Sequence, residues 1–278
     1  MKPVIYMRRT IVSALMLCLF ALNTWAQNIY EDQQVSIDKI EKGSYKISYK
    51  DGPNFSSVFV IEGEKQAMVV DAGDKDMDLA SLIRKCTDKP YFLVLTHTHG
   101  DHLGAVNQFP ELYVNEKESM NQLQKMYKGK VNYMTDGQVF DLGGKFIQAL
   151  EIVGHTAGGM IFCDYETGNC YSGDCFGTGQ VWLQFGAYPN PITVYANEMK
   201  KMLGYMANRH ITHIYTGHFG QEECVYGINY IQDMCTLAQN MLKGDYKSEH
   251  HNRSAESSPI QMTALRRAVI VFHPDRVK

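Results

Sequence analysis

Little in the 278-residue sequence would tie it to nucleic acid, to a membrane interior or to a cysteine-bound metal. Its formal charge is −3, and no basic stripe or aromatic–basic interleaving runs along it, which argues against a nucleic-acid partner. Seven cysteines are present without a CxxC, so a sulfur-ligated metal site is not expected. The apolar run at residues 11–22, "IVSALMLCLFAL", is too short to cross a bilayer as a helix. There is no sequence repeat and no long low-complexity linker, which leaves one catalytic-sized domain as the simplest division.

What the N-terminus does have is the layout of a secretory leader. Lys2, Arg8 and Arg9 precede the apolar run, and the small residues Thr24 and Ala26 follow it. We expect residues 1–26 to be a signal peptide cut after Ala26, leaving 27–278 as a mature domain in the periplasm or secreted, with no stable membrane anchor. An uncleaved N-terminal anchor is the alternative. Losing three basic residues takes the formal charge from −3 to −6 and leaves six cysteines. An even number in an exported chain permits disulfides without requiring them. Only "CDYETGNC" suggests a pair, because a turn at "ETGN" could bring Cys163 opposite Cys170. Cys224 and Cys235 are expected about three turns apart on one helix, too far to bridge.

Residue patterning places strands over 35–49 and 56–70 and a short apolar strand at "YFLVLTH", buried on both faces. Helices are expected at "MDLASLIRKC", near Asp101, and over 116–128, 193–209 and 222–242, with strands at 212–216 and 268–272. The polar segment "GDYKSEHHNRSAESSP" reads as a connection. Strands interleaved with helices in two groups point to sheets covered by helices rather than to a barrel.

The chain has ten histidines, and "THTHGDH" gathers three of them with an aspartate just past the apolar strand. In an extended segment residues two apart project to the same side, so His97 and His99 can meet one metal. Asp101 and His102 follow where the chain turns and could face a second. Imidazole suits zinc, and a carboxylate tolerates harder metals. Three further donors stand at predicted strand ends, each directly after a glycine: His155 in "GHTAGG", Asp174 in "SGD" and His218 in "TGH". His210, His213, His250, His251 and His273 read as solvated or locally bonded.

In this order and spacing, "VVDAG", "THTHGDH", "GHTAGG", "SGD" and "TGH" resemble the motif series of the metallo-β-lactamase superfamily. The resemblance implies an α/β fold, a four-layer αββα sandwich with the metal site at one edge of the paired sheets. It implies that His97, His99 and His155 hold one divalent ion, that Asp101, His102 and His218 hold another, and that Asp174 bridges them. Asp71 would support a ligand or a backbone amide. The ions are expected to be zinc, with manganese or iron as alternatives. The implied reaction is hydrolysis by a metal-activated hydroxide, with Asp101 orienting it and passing its proton on.

The bond cut is less sharply implied. Aspartate at position 174 resembles glyoxalase II and the lactonases more than the true β-lactamases, which mostly carry Cys or Ser there. One long helix and a strand are expected after His218, which argues against the glutathione-binding domain of glyoxalase II. The segment "GTGQVWLQFGAYPNP" follows the bridging aspartate, and Trp182, Phe185 and Tyr188 in it are candidate substrate contacts. A small-molecule ester, lactone or thioester is the expected substrate. β-Lactams, an iron-dependent oxidation of the sulfur dioxygenase kind and a non-catalytic metal-binding module stay open, and the oligomeric state is unassigned.

Overall fold

The Val-, Ile- and Tyr-rich stretch after residue 27 forms one continuous sheet. In the computed structural model, which describes residues 27–50, 55–74, 77–183, 191–218, 225–251 and 254–277, this first sheet has eight strands in sequence order. Strands β1 (Gln27–Glu31), β2 (Val35–Glu41), β3 (Ser44–Tyr49), β4 (Ser57–Glu62) and β5 (Ala67–Val70) pair antiparallel. Strands β6 (Tyr91–Val94), β7 (Glu111–Asn115) and β8 (Lys130–Met134) then add in parallel. A parallel neighbour needs a crossover, and helix α1 (Leu79–Cys86) supplies it between β5 and β6. Asp78 caps that helix by accepting the Ser81 N–H at 3.1 Å.

The second sheet has five strands, hydrogen-bonded neighbour to neighbour in chain order. Its strands are β9 (Val139–Asp141), β10 (Phe146–Glu151), β11 (Met160–Asp164), β12 (Asn169–Tyr171) and β14 (His213–Tyr215). Alternation along the strands then builds the layers. Phe59, Ile61, Met68 and Val70 of the first sheet meet Ile147, Ala149, Met160, Phe162 and Tyr171 of the second in one buried cluster. Their neighbours Val58, Val60, Ala67 and Val69 point the other way, against Leu79 and Ile83 of α1 and Leu123 of α2 (Met120–Met126). Ile161, Cys163 and Cys170 point outward from the second sheet against α3 (Pro191–Arg209) and α4 (Ile228–Lys243). Helix, sheet, sheet, helix is the αββα layering expected. Among the described residues, no helix is long and apolar enough to cross a membrane.

Four expectations need correction, the first being the helix expected over 222–242, which begins only at Ile228, after Tyr226 bridges to Ile214. No α-helix starts near Asp101; Gly100–His102 is a single 3₁₀ turn. The helix expected from Glu116 begins only at Met120, because the Asn115 side chain accepts the Lys117 N–H at 3.1 Å and turns the chain first. The polar C-terminal segment is not merely a connection. Strands β13 (Gln180–Trp182), β15 (Glu249–His250), β16 (Gln261–Leu265) and β17 (Ala268–Phe272) form a third sheet, in the order β13-β17-β16-β15. His251, just past β15, is fully buried and locally bonded, the second of its two expected states: its Nδ1 lies 3.3 Å from Ser254 Oγ, and its ring packs edge-on against Trp182.

The hairpin at "CDYETGNC" forms as expected and pairs Cys163 with Cys170, yet both thiols are free. Burial pushes the Cys170 thiol well above its ordinary range, which makes it a weak nucleophile. Residues 1–26, Cys224, Phe185 and Tyr188 lie outside the described residues.

Candidate metal centre

Each candidate ligand follows the end of a strand. Asp71 comes directly after β5, His97 shortly after β6, His155 after β10, Asp174 after β12 and His218 after β14. The first two elements belong to one sheet and the last three to the other, so the residues meet where the two sheets share an edge. A backbone bond from the Met160 N–H to the Thr96 carbonyl (2.8 Å) ties the sheets together there.

Three histidines converge first. His97 Nε2 lies 3.1 Å from His99 Nδ1, and His155 Nε2 lies 3.0 Å from the same atom. Around Asp174 a second set gathers. Its Oδ1 is 3.5 Å from His102 Nε2, and its Oδ2 is 3.1 Å from His218 Nε2 and 3.6 Å from His155 Nε2. Asp101 Oδ2 closes the group at 3.6 Å from His218 Nε2. All seven sequence-predicted donors are thus brought together, in three overlapping groups with ligand atoms within 4.8 Å of one another.

Hydrogen bonds decide which nitrogens are bare. Asp71, buried and with a left-handed backbone (φ 63°), accepts the Thr96 N–H on Oδ1 and the Thr96 hydroxyl on Oδ2, each at 2.8 Å. With that hydroxyl proton committed to Asp71, His97 Nδ1 donates to Thr96 Oγ1 at 3.1 Å and leaves Nε2 as a lone pair. His102 Nδ1 also meets Asp71 Oδ2, at 2.8 Å, which frees its Nε2. His155 donates from Nδ1 to the main-chain carbonyl of Trp182 at 2.6 Å. One carboxylate and one carbonyl therefore set three tautomers.

Electrostatics divide the histidines. Burial, reinforced by neighbouring histidines, holds His97 well below its ordinary range, and burial takes His155 down to about 4. His99 moves in the same direction, first through burial. These rings are neutral at pH 7 and present nitrogens that no proton must leave. Burial pulls His102 down too, but Asp71 and Asp174 outweigh it and raise the group well above its usual value. Burial likewise opposes the ionised form of Asp174, and His218 and His102 overcome it, holding the carboxyl well below the carboxylate range. A positive charge is favoured beside Asp174.

The donor chemistry fits divalent metal ions. His102 Nε2 and Asp174 Oδ1 are buried, face each other and make no hydrogen bond, an arrangement that an ion between them would satisfy. The glycines before the ligands have separate reasons. Gly173 has φ 49° and abuts Thr96, whereas a Cβ on Gly217 would stand 2.6 Å from Asp174 Oδ1 and 2.7 Å from His102 Cε1. Gly154 lies against the Tyr195 ring.

Other residues of the site left little trace in the sequence. Thr178 Oγ1 bonds Thr216 Oγ1 at 2.7 Å and accepts the His218 N–H at 3.3 Å. Glu118, in the polar run "NEKES", is buried and accepts from Thr98 and Gly158. Trp182 serves the site through its carbonyl, while its half-buried ring rests on His251.

The sequence profile of the metallo-beta-lactamase superfamily matches residues 51–218. An atrochrysone carboxyl ACP thioesterase of Passalora fulva is 31% identical over 117 residues, 41% of this chain and 34% of that protein. A lactamase-like protein of an Aspergillus species, notP, is 27% identical over 124 residues, 43% of this chain and 38% of its own. The chain thus spans about a third of the length of these curated relatives. In three dimensions it is similar to a metallo-beta-lactamase from Pontibacter korlensis (TM-score 0.58, 16% identity, 74% of this chain and 100% of that one). FIM-1, a metallo-beta-lactamase from Pseudomonas aeruginosa in its mono-zinc form, is comparable (TM-score 0.56, 17% identity, 76% and 97%). At such identities the structures speak for the fold alone, and it is the profile match across most of the described strands and every ligand position that decides descent: the chain belongs to the metallo-beta-lactamase superfamily.

Proposed function

We propose that the chain is an exported, metal-dependent hydrolase that holds two divalent ions and cleaves a small-molecule ester, lactone or thioester. The observation that carries this reading is the position of Asp174, whose two oxygens lie between 3.1 and 3.6 Å from nitrogens of His102, His155 and His218. A carboxylate within reach of donors from both ligand groups supports a bridging role for it. His97, His99 and His155 would hold one ion, and Asp101, His102 and His218 the other. Seven donors exceed what one four- or five-coordinate ion uses. Zinc suits this imidazole-rich set, with manganese or iron as alternatives.

When bound, such a pair supplies Lewis acidity toward a substrate oxygen and a water that ionises near neutral pH. The chain's own groups do the rest. Asp71 and the Trp182 carbonyl keep His97, His102 and His155 aimed with bare nitrogens. Asp101, with its side chain 22% exposed, would orient the attacking water and pass its proton on to the leaving group.

Carboxylic substrates are favoured by three features. Aspartate at 174 follows the lactonase and thioesterase pattern. The curated relatives include proteins named as ACP thioesterases. Residues 177–191, which carry Trp182, Phe185 and Tyr188, contain no Lys or Arg to hold a phosphate. The leader-like N-terminus supports a small molecule met outside the cytoplasm as the partner, and not nucleic acid. The test is kcat/KM of the dizinc and dimanganese forms on one ester, lactone, thioester, β-lactam and phosphodiester. A β-lactam or phosphodiester preferred tenfold over all carboxylic substrates, about 1.4 kcal/mol in the transition state, overturns the assignment. Metal analysis should find two ions per chain, and Asp174→Ala should lower stoichiometry and turnover together; one ion in fully loaded wild-type protein ends the binuclear scheme.

A further inference from the structure

Glu118 lies on the connection between β7 and α2, contributes no atom to the ligand groups, and is 6% exposed. Its Oε2 accepts the Thr98 N–H at 3.2 Å, and its Oε1 accepts the Gly158 N–H at 3.0 Å. The Thr98 hydroxyl lies 3.0 Å from Oε2 and 2.7 Å from the Ser119 carbonyl, and its single proton serves one of them at a time. The two main-chain bonds are therefore the fixed part of the arrangement.

What those bonds join gives them meaning. Thr98 stands between His97 and His99, on the loop that leaves the first sheet after β6. Gly158 stands three residues beyond His155, on the loop that enters β11 of the second sheet. One carboxylate thus holds, by opposite oxygens, the two loops that carry the three-histidine group. Space is tight there as well, since a Cβ on Gly158 would lie 2.8 Å from the Glu118 backbone nitrogen. Asp71, by comparison, accepts from Thr96 and His102, both on the one segment that follows β6. Thr178 serves the His218 side.

We propose that Glu118 is a positioning residue that sets the span between the His97–His99 loop and the His155 loop, and so the metal affinity of the three-histidine site in particular. This rests on the metal-centre reading above. Glutamine at 118 would keep one acceptor oxygen but set an amide N–H₂ against the second main-chain N–H, releasing one loop while preserving size. Aspartate would keep the charge but fall one methylene short of spanning both loops.

The experiment is a cobalt(II) titration of the mature protein against a competing chelator, followed by visible absorption. His155→Ala and His218→Ala serve to assign the bands of the two sites. Glu118→Gln and Glu118→Asp are compared with wild type and with Lys145→Met, which breaks a buried ion pair with Asp164 away from the site (2.8 Å). The expected result is a loss of about ten- to a hundredfold in affinity at the three-histidine site, with an altered band there, while the second site keeps its affinity within threefold. If Glu118→Gln does not fold, the same split in Glu118→Asp decides. Wild-type affinity at both sites in a folded variant overturns the proposal, and so does an equal loss at both sites matched by Lys145→Met, the mark of general loosening. A wild-type protein that takes up no cobalt fails the metal-centre reading itself, and this proposal falls with it.

Discussion

Asp71 adopts a left-handed backbone conformation that asparagine also tolerates, so Asp71→Asn isolates charge and hydrogen bonding from strain. The amide oxygen can still accept the Thr96 N–H, but the amide nitrogen then faces His102 Nδ1–H, donor against donor. The His102 proton is driven to Nε2, the atom that faces Asp174. Asp71→Asn should cost ten- to a hundredfold in metal affinity at the Asp101–His102–His218 group, read by chelator competition; an unchanged value removes Asp71 from the site. A second substitution tests the close approach at Gly217. Its added Cβ would displace Asp174 Oδ1 and His102 Cε1, so Gly217→Ala should bind fewer than two ions while the metal-free protein still folds. Retention of both ions would mean that the loop shifts freely. The ligands themselves were legible because "THTHGDH" places donors two apart beyond an apolar strand. Glu118 was not, because in sequence a glutamate that accepts two main-chain N–H groups looks like any solvated one.

At the scale of elements, legibility followed the strength of the local residue pattern. β6 is an uninterrupted apolar run, and β17 matches its expected span of 268–272 residue for residue. β13 and β15 are three and two residues long; the partner of β13 lies far along the chain, and β15, paired with the next strand, is too short to show any alternation. No helix follows the turn at Gly100–His102, because the next residues bond back to the β5–α1 loop: the Gly104 N–H reaches Gly73 and the Ala105 N–H reaches Ala72. α3 offers a direct measurement of propensity. Gly204 lies on its exposed face with nothing within 4 Å of an added Cβ, so Gly204→Ala should stabilise the protein by about 1 kcal/mol in urea unfolding without changing metal content. A destabilised variant would show that this stretch of α3 is not regular helix.

For the whole molecule, the donors come from two sheets and the support for one of them from a third. Metal binding should therefore stabilise the native assembly as a unit. At free zinc a hundredfold above Kd, one site contributes about 2.7 kcal/mol, which for a chain of this size is several degrees in Tm. Calorimetry with and without a chelator should show that shift and its reversal by zinc; superimposable curves would mean that no ion is bound in the native state. The leader is tested at the same scale. Gln27 is the first residue of β1 and pairs with Lys39, so cleavage after Ala26 keeps the sheet whole. N-terminal sequencing of exported protein should begin at Gln27, and recovery of Met1 or Met7 would show that the leader is retained.

His155 is oriented by a main-chain carbonyl, an acceptor that all twenty amino acids possess. Whatever side chain stands at position 182, the partner of Nδ1 persists as long as β13 stays paired with β17. The side chain at position 182, a candidate substrate contact, can therefore drift in shape and polarity while His155 keeps its tautomer. Such a separation lets new substrates be sampled, in nature or by library selection at position 182, from variants that have not first lost their metal.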